Sequence, residues 1–111
     1  EMDGPGIGTN PDEMLLGAAG TCYIITLAAM IERAKLPLHH MELESEGKVD
    51  VTNGIFTYKS IIHRPTVILD RTASEENYRK LEKLVDRAEK SCMISRALKG
   101  NVDLSVEAHI Q

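Results

Sequence analysis

The sequence predicts one α+β domain in which two helices flank the strands of a small sheet. Three observations carry this prediction: an uncharged helical run from Met14 to Ile31, an alternating run from Met41 to Val51, and a second helical run from Thr72 to Lys90. A chain of 111 residues is long enough for one core and one domain. Strands joined by a hairpin and flanked by helices indicate α+β layer packing.

The first helix has a well-marked start. Asn10 can cap it, Pro11 suits the first helical position, and Glu13 stands where a capping-box carboxylate reaches back. We expect this helix to run to about Lys35, because Leu36-Pro37 follows it.

The uncharged run in this helix, about 18 residues long, reaches the lower limit for a membrane-spanning helix. Two glycines, two threonines and a cysteine lie within it, and polar segments surround it. A helix that is apolar on every side is equally suited to a protein core or a dimer interface. We therefore predict a central buried helix, whose cover a second subunit would complete, and no membrane contact.

The middle of the chain predicts a hairpin. Residues 41–51 alternate between apolar or small and charged side chains, the period of a strand with one wet face. Asn53-Gly54 is a favoured two-residue turn, and Phe56–Asp70 is the returning strand. Pro65 has no N–H for the ladder, so we expect it at a sheet edge or a bulge.

The second helix is amphipathic, and Thr72 or Ser74 can cap its start. Its apolar stripe consists of Tyr78, Leu81, Leu84, Val85 and Ala88. Residues 93–98 could form a short extra turn stopped by Gly100, and the alternating residues 102–110 a last strand. The expected architecture is a long buried central helix and a second helix packed on an antiparallel sheet.

Charge and cysteine content restrict the function. The net charge is −4 and no basic stripe occurs, which argues against nucleic acid or an anionic membrane as a partner. Two cysteines are too few for a secreted disulfide framework and lack the spacing of a structural zinc site. No signal-peptide pattern opens the sequence. We predict a cytoplasmic protein with reduced thiols, without a metal or cofactor.

Each cysteine has a structural and a reactive interpretation. Cys22 lies on the apolar helix, where a free cysteine commonly serves as a small buried hydrophobe. Cys92 precedes the possible short helix, whose free amides, together with Arg96, would stabilise a thiolate. A core cysteine is the alternative there too.

The two cysteines lie in distinctive segments. The first segment reads GTNPDEMLLGAAGTC over residues 8–22, and the second reads AEKSCMISRALKGNV over residues 88–102. In this order, with a hairpin and a long helix between them, they resemble the two cysteine motifs of the OsmC/Ohr family, the osmotically inducible and organic-hydroperoxide-resistance proteins. The resemblance covers essentially the whole chain. We therefore expect residues 1–111 to form a single OsmC-like domain that lacks its N-terminal strands.

The resemblance implies cysteine-based peroxidase chemistry. Cys22 falls on the family's peroxidatic cysteine, Cys92 on its resolving cysteine, and Glu13 on the carboxylate that holds an active-site arginine. The resemblance also implies an intertwined homodimer with active sites built from both subunits. Its substrate would be an organic hydroperoxide, and its reductant a dithiol of the lipoyl or thioredoxin-like type. The apolar helix around Cys22 suits an alkyl or lipid hydroperoxide, because it can bury the tail.

Three positions depart from the family pattern. The family's arginine lies upstream of the Gly-Thr-Asn-Pro motif, whereas the first arginine here is Arg33, so we expect that residue ahead of this chain's first position. Met93 stands where proline is common and Gly20 where histidine is common, and neither change removes a reactive group.

The spacing of two candidate residues bears on the assembly. Glu13 and Cys22 are nine positions apart, which at about 100° per residue puts them on opposite helix faces. They cannot meet within one straight helix. A site shared between subunits would bring one chain's Glu13 to the other chain's Cys22, which favours a dimer.

The other polar groups give weaker signals. His39-His40 fits a solvated connection from helix to strand, and His63 and His109 read as strand residues without a partner at ligand spacing. No phosphate-binding loop or Ser/His/Asp grouping supports hydrolysis. Two alternatives to a peroxidase stay open: an OsmC-like protein that binds a small molecule or senses stress without turnover, and a structural domain with inert buried thiols.

Overall fold

The computed structural model describes residues 11–111, which contain three helices and four strands. In chain order these are α1 (Pro11–Arg33), β1 (Leu38–Thr52), β2 (Ile55–Leu69), α2 (Glu75–Ser91), α3 (Met93–Leu98), β3 (Asp103–Val106) and β4 (His109–Ile110). The α+β class and the predicted order of elements are confirmed. The predicted helix cap at Asn10 lies outside the described residues.

α1 buries one of its faces in the chain. Its buried residues are Ala19, Gly20, Tyr23, Leu27 and Ile31. On the opposite face Met14 and Ile25 are each 62% exposed. The central helix is therefore buried along one side, and its other side presents apolar groups to the surroundings.

α1 also has the length and mean hydropathy of a bilayer span, with a value of 1.9 over an 18-residue window. Five of its 23 residues are buried, so one face of the helix packs against the rest of the chain as a core helix does. The helix ends two residues before the predicted limit. There Lys35 adopts a left-handed conformation with φ 57°, and the chain turns to bury Leu36.

β1 and β2 form the long antiparallel hairpin that the sequence predicts. Their pairing runs from Leu38 opposite Leu69 to Thr52 opposite Ile55. Asn53-Gly54 forms the turn with φ values of 54° and 77°. Both are positive, as the favoured two-residue hairpin turn requires.

The hairpin also fixes the start of α1. The Tyr58 hydroxyl donates a hydrogen bond to the backbone carbonyl of Asp12 in the first helical turn. Gly47 on β1 makes room for this tyrosine, because a Cβ there would lie 2.7 Å from Tyr58 Cε1. The first turn of α1 is thus held by a side chain from the sheet.

The expected edge position or bulge at Pro65 was wrong. β2 is the central strand, with β1 on one side and β3 and β4 on the other. Pro65 pairs with Leu43 of β1, and the register shifts of this hairpin lie elsewhere. On the other side the Glu107 amide donates to the His63 carbonyl at 2.9 Å. The parallel ladder would next need an N–H at position 65, which proline lacks, so the partner strand divides into β3 and β4.

The sheet is mixed rather than purely antiparallel. β3 and β4 both run parallel to β2. The chain leaves the end of β2, crosses through α2 and α3, and returns along the far side of β2. A helical crossover between two neighbouring strands produces this parallel pairing.

α2 begins with a capping box at Ser74, one of the two predicted caps. The Ser74 hydroxyl accepts from the Asn77 amide at 3.2 Å, and the Asn77 side chain accepts from the Ser74 amide at 2.9 Å. The predicted stripe is confirmed, because Leu81, Leu84, Val85 and Ala88 are buried. They form the main core with Tyr23 and Leu27 of α1.

A buried polar layer lies under α1. His63 on β2 is fully buried, and its ring stacks on Tyr23 with centroids 4.8 Å apart. His63 Nδ1 lies 2.7 Å from the Ser45 hydroxyl, and the Tyr23 hydroxyl donates to the Val85 carbonyl at 3.0 Å. Burial lowers the pKa of His63 from its ordinary 6.5, so the imidazole is neutral near pH 7.

This lowered pKa predicts acid sensitivity. Below about pH 6.5 His63 binds a proton in the unfolded chain but stays neutral in the folded chain, because its pKa there is lower. The free energy of unfolding should therefore fall with pH from about 6.5 downwards, by at most about 1.4 kcal/mol per pH unit for one proton. Denaturant titrations from pH 7 to 5.5 should show this loss in the wild type and a flatter profile in His63→Gln. The exposed His39→Gln is the control; equal slopes in all three proteins would contradict the assignment.

Candidate active site

The fold brings the two cysteines together. Cys22 lies in the middle of α1, and Cys92 lies between α2 and α3. Their side chains lie within interaction distance of each other, and both are free thiols. Cys92 is fully buried, whereas Cys22 is partly exposed. One thiol is thus within reach of solvent, and the other lies directly behind it.

A break between two helices creates this contact. The Cys92 amide still donates to the Ala88 carbonyl at 2.9 Å, as the last turn of α2 requires. Its backbone then leaves the helical region, with φ −59° and ψ 128°, and α3 starts at Met93. The Cys92 carbonyl accepts from the Arg96 amide at 3.0 Å in the new helix. The first amides of α3 are therefore unused within the helix and available to a sulfur atom.

The environment of Cys22 favours its thiolate. Burial opposes ionisation of this thiol, but hydrogen bonds outweigh burial. The Cys92 thiol makes the largest of these contributions, followed by the backbone amides of Ile94 and Met93. Together they lower the pKa of Cys22 below its ordinary 9.0. The Thr26 hydroxyl donates instead to the Cys22 carbonyl at 2.7 Å. Since a thiolate is the nucleophilic form of cysteine, Cys22 is the member of the pair whose surroundings favour that form.

The environment of Cys92 has the opposite effect. Burial raises the pKa of Cys92, and its hydrogen bond to Cys22 raises it further. The backbone amides of Ser95 and Ile94 only partly offset this. The sequence predicts that the amides of the short helix, and Arg96, stabilise a thiolate at Cys92. That prediction is wrong, because burial and the contact with Cys22 outweigh the amides, and Arg96 is exposed.

Glu13 lies on another flank of α1. Its side chain is exposed and lines a cavity of about 460 Å³ between α1 and β1. The residues lining this cavity are Glu13, Leu16, Gly17, Gly20, Thr21, Ile24, Leu43 and Ser45. Neither cysteine is among them. The structure therefore agrees with the helical geometry, since Glu13 and Cys22 do not meet within one chain.

Asp12 is a candidate that the sequence analysis did not single out. One of its carboxylate oxygens is buried and has no hydrogen-bond partner among residues 11–111. Burial raises the pKa of the nearby Tyr58, and the charges of Asp12 and Glu13 raise it further. The two adjacent carboxylates thus concentrate negative charge at the start of α1. The only sequence signal for Asp12 is its position next to Glu13.

Other sequence candidates lie apart from the thiols. His39 and His40 are exposed residues near the start of β1 rather than part of a connecting loop. His40 lies 3.4 Å from a Glu42 carboxylate oxygen, and His109 lies in β4. Within residues 11–111, no group of three or more His, Cys, Asp and Glu side chains could hold a metal ion.

Comparison with known sequences identifies the family. Residues 4–107 match the family model of the OsmC-like proteins. The uncharacterized protein YmaD of Bacillus subtilis (strain 168) is 62% identical over 111 residues, which is all of this chain and 74% of that protein.

Comparison with solved structures gives the same fold. An organic hydroperoxide resistance protein OsmC from Legionella pneumophila is 23% identical with a TM-score of 0.75, over 96% of this chain and 73% of that one. The organic hydroperoxide resistance protein OhrB of Bacillus subtilis is 22% identical with a TM-score of 0.71, over 91% and 70%. At these identities the likeness concerns the fold. Because the family match spans both cysteine segments and nearly the whole chain, the chain belongs to the OsmC-like family.

Proposed function

We propose that this protein is a cysteine-based peroxidase that reduces organic hydroperoxides to alcohols in the cytoplasm. The observation that carries this proposal is the contact between two thiols of opposite character. Cys22 is partly exposed and its pKa is lowered, whereas Cys92 is buried and its pKa is raised. Family membership supports the same chemistry, as does the likeness in fold to two organic hydroperoxide resistance proteins.

In the first step the Cys22 thiolate attacks the terminal oxygen of the hydroperoxide. An S–O bond forms and the O–O bond breaks, so the sulfur is oxidised to a sulfenic acid. The organic part leaves as an alkoxide and takes up a proton to become an alcohol. The amides of Met93 and Ile94 favour this step because they keep Cys22 ionised.

In the second step the Cys92 thiol attacks the sulfenic acid of Cys22. A disulfide forms between the two sulfur atoms, and the hydroxyl group leaves with a proton as water. An external dithiol of the lipoyl or thioredoxin-like type then reduces the disulfide to two thiols and becomes a disulfide itself. Because Cys92 is buried and Cys22 is partly exposed, we expect the external thiolate to attack Cys22.

The proposal includes a homodimer with a shared active site. Glu13 and Cys22 lie on different flanks of α1, so they can meet only across two subunits. The exposed face with Met14 and Ile25 supports an interface along this helix. Glu13 would then orient the guanidinium of the family's active-site arginine beside the thiolate of the other subunit. The buried oxygen of Asp12 offers a second acceptor for that guanidinium.

The different roles proposed for the two cysteines predict different effects of their substitution on peroxide turnover. Cys22→Ser should reduce hydroperoxide consumption to the uncatalysed rate, because the serine hydroxyl does not ionise and cannot replace the thiolate as the nucleophile. Cys92→Ser should allow a single reduction and leave Cys22 open to sulfinic acid formation. Peroxide assays and intact-protein mass spectrometry measure both outcomes. Unaltered turnover of Cys22→Ser, or steady turnover of Cys92→Ser without oxidation of Cys22, would refute the assignment.

The hydrogen bond from Cys92 predicts how the reactivity of Cys22 depends on pH. In the wild type, the midpoint of Cys22 alkylation should lie below the ordinary thiol value of 9.0. Cys92→Ala removes the largest stabilising contact and should move the midpoint upwards, whereas Cys92→Ser keeps a donor and should move it less. Mass-spectrometric alkylation profiles test this. Equal midpoints in all three proteins would show that the contact does not control ionisation.

Substitution of the carboxylates at the start of α1 should lower the peroxidase rate while both thiols stay intact. Glu13→Gln should lower the peroxidase rate by about 100-fold if it holds the guanidinium in place. Asp12→Asn should also lower the rate, since its buried oxygen is the second acceptor. Glu75→Gln is the matched control, because Glu75 is an exposed carboxylate in the first turn of α2. A normal rate in Glu13→Gln beside a slow Asp12→Asn would transfer the role to Asp12 and contradict the Glu13 assignment.

A further inference from the structure

A buried hydroxyl lies unused in the short helix that follows Cys92. Ser95 is only 3% exposed, and its Oγ has no hydrogen-bond partner among residues 11–111. A helical serine often donates to a carbonyl three or four residues earlier, and the Ser95 hydroxyl does not. Buried polar groups without a partner are rare, because each has lost its bonds to water. The chemistry around Ser95 therefore has to explain this hydroxyl.

The spacing within α3 places the hydroxyl beside the Cys92 sulfur. Cys92 is the N-cap of this helix, and Ser95 is its third residue. Side chains at these two positions lie together over the first turn, as they do in a capping box. Burial raises the pKa of Cys92, and the Ser95 hydroxyl beside it acts to lower that pKa. The hydroxyl is thus a donor next to a sulfur atom that carries no charge in the reduced protein.

The charge on Cys92 decides whether this donor has a good acceptor. A neutral thiol sulfur accepts hydrogen bonds weakly, whereas a thiolate accepts them strongly. In the reduced protein the surroundings favour the charge on Cys22, and Cys92 keeps its proton. In the second step of the proposed peroxidase Cys22 is a neutral sulfenic acid, and Cys92 gives up its proton as it attacks. Negative charge then develops on the sulfur beside Ser95.

We propose that the Ser95 hydroxyl donates a hydrogen bond to the Cys92 sulfur as that thiol ionises, and thereby accelerates disulfide formation. The S–S bond forms, the S–O bond of the sulfenic acid breaks, and the Cys92 proton leaves with the hydroxide as water. A donor already in place where charge develops needs no rearrangement at that moment. The inference rests on the proposed function and concerns its second step alone, since the first step uses only the Cys22 thiolate.

Single-turnover kinetics of Ser95→Ala separate the two steps. One equivalent of cumene hydroperoxide should be consumed at the wild-type rate, whereas the Cys22–Cys92 disulfide should form about ten-fold more slowly, the value of one hydrogen bond to a charged group. Excess hydroperoxide should then leave more Cys22 as sulfinic acid. Ser95→Thr keeps the hydroxyl and should restore disulfide formation. Ser91→Ala is the matched control, because Ser91 is exposed and directly precedes Cys92.

Urea titration of the reduced proteins distinguishes this role from a structural one. The Ser95 hydroxyl has no partner among residues 11–111, so its removal leaves no described group unsatisfied, and alanine favours a helix more than serine does. Reduced Ser95→Ala should therefore be at least as stable as the wild type while it forms the disulfide more slowly. A less stable Ser95→Ala in which both steps are slowed would overturn the proposal, because that result assigns the hydroxyl to the fold.

The oxidant diamide makes the test independent of hydroperoxide chemistry. Its N=N bond adds the Cys22 thiolate and a proton, and Cys92 then displaces the nitrogen as a hydrazine that takes up the second proton. Mass spectrometry follows conversion of this adduct to the disulfide, which should also be about ten-fold slower in Ser95→Ala. A slow conversion in a protein whose wild type does not consume hydroperoxide would refute the peroxidase and support the role of Ser95. Equal conversion rates in Ser95→Ala and the wild type would overturn that role, whatever the result with hydroperoxide.

Discussion

The site depends on the break in the helix at Cys92. One residue ends α2, starts α3 and places its thiol against Cys22. Because the backbone turns at this point, the first amides of α3 have no carbonyl partner within their helix and instead reach the sulfur of Cys22. A continuous helix through residues 88–98 would use those amides internally, and Cys22 would lose the hydrogen bonds that offset its burial.

α1 connects two regions of different chemistry. One flank carries Cys22 against the α2–α3 junction, and another carries Glu13 and the cavity in front of Ser45. Between them runs the exposed apolar face that supports the proposed dimer. One apolar helix thus carries a packed core side, the partly exposed thiol of Cys22 and an exposed apolar surface that a second subunit would cover in the proposed dimer.

The sequence predicts local features well and long-range pairing poorly. The Asn53-Gly54 turn and the Ser74 cap follow from local chemistry, so they were foreseeable. Pro65 was misjudged because its missing N–H is accommodated by a gap in a strand that comes some forty residues later. The contacts of Ser45 with His63 and of Tyr58 with Asp12 depend on register and helix packing, and no local pattern marks them. The pairing of the cysteines was predictable only through the family resemblance.

The most direct test of the account is to map thiols after one equivalent of cumene hydroperoxide is added to the reduced protein. We expect both thiols to disappear together, and a proteolytic digest to contain a single peptide pair joined through Cys22 and Cys92. Two intact thiols, or Cys22 oxidised while Cys92 stays reduced, would contradict it.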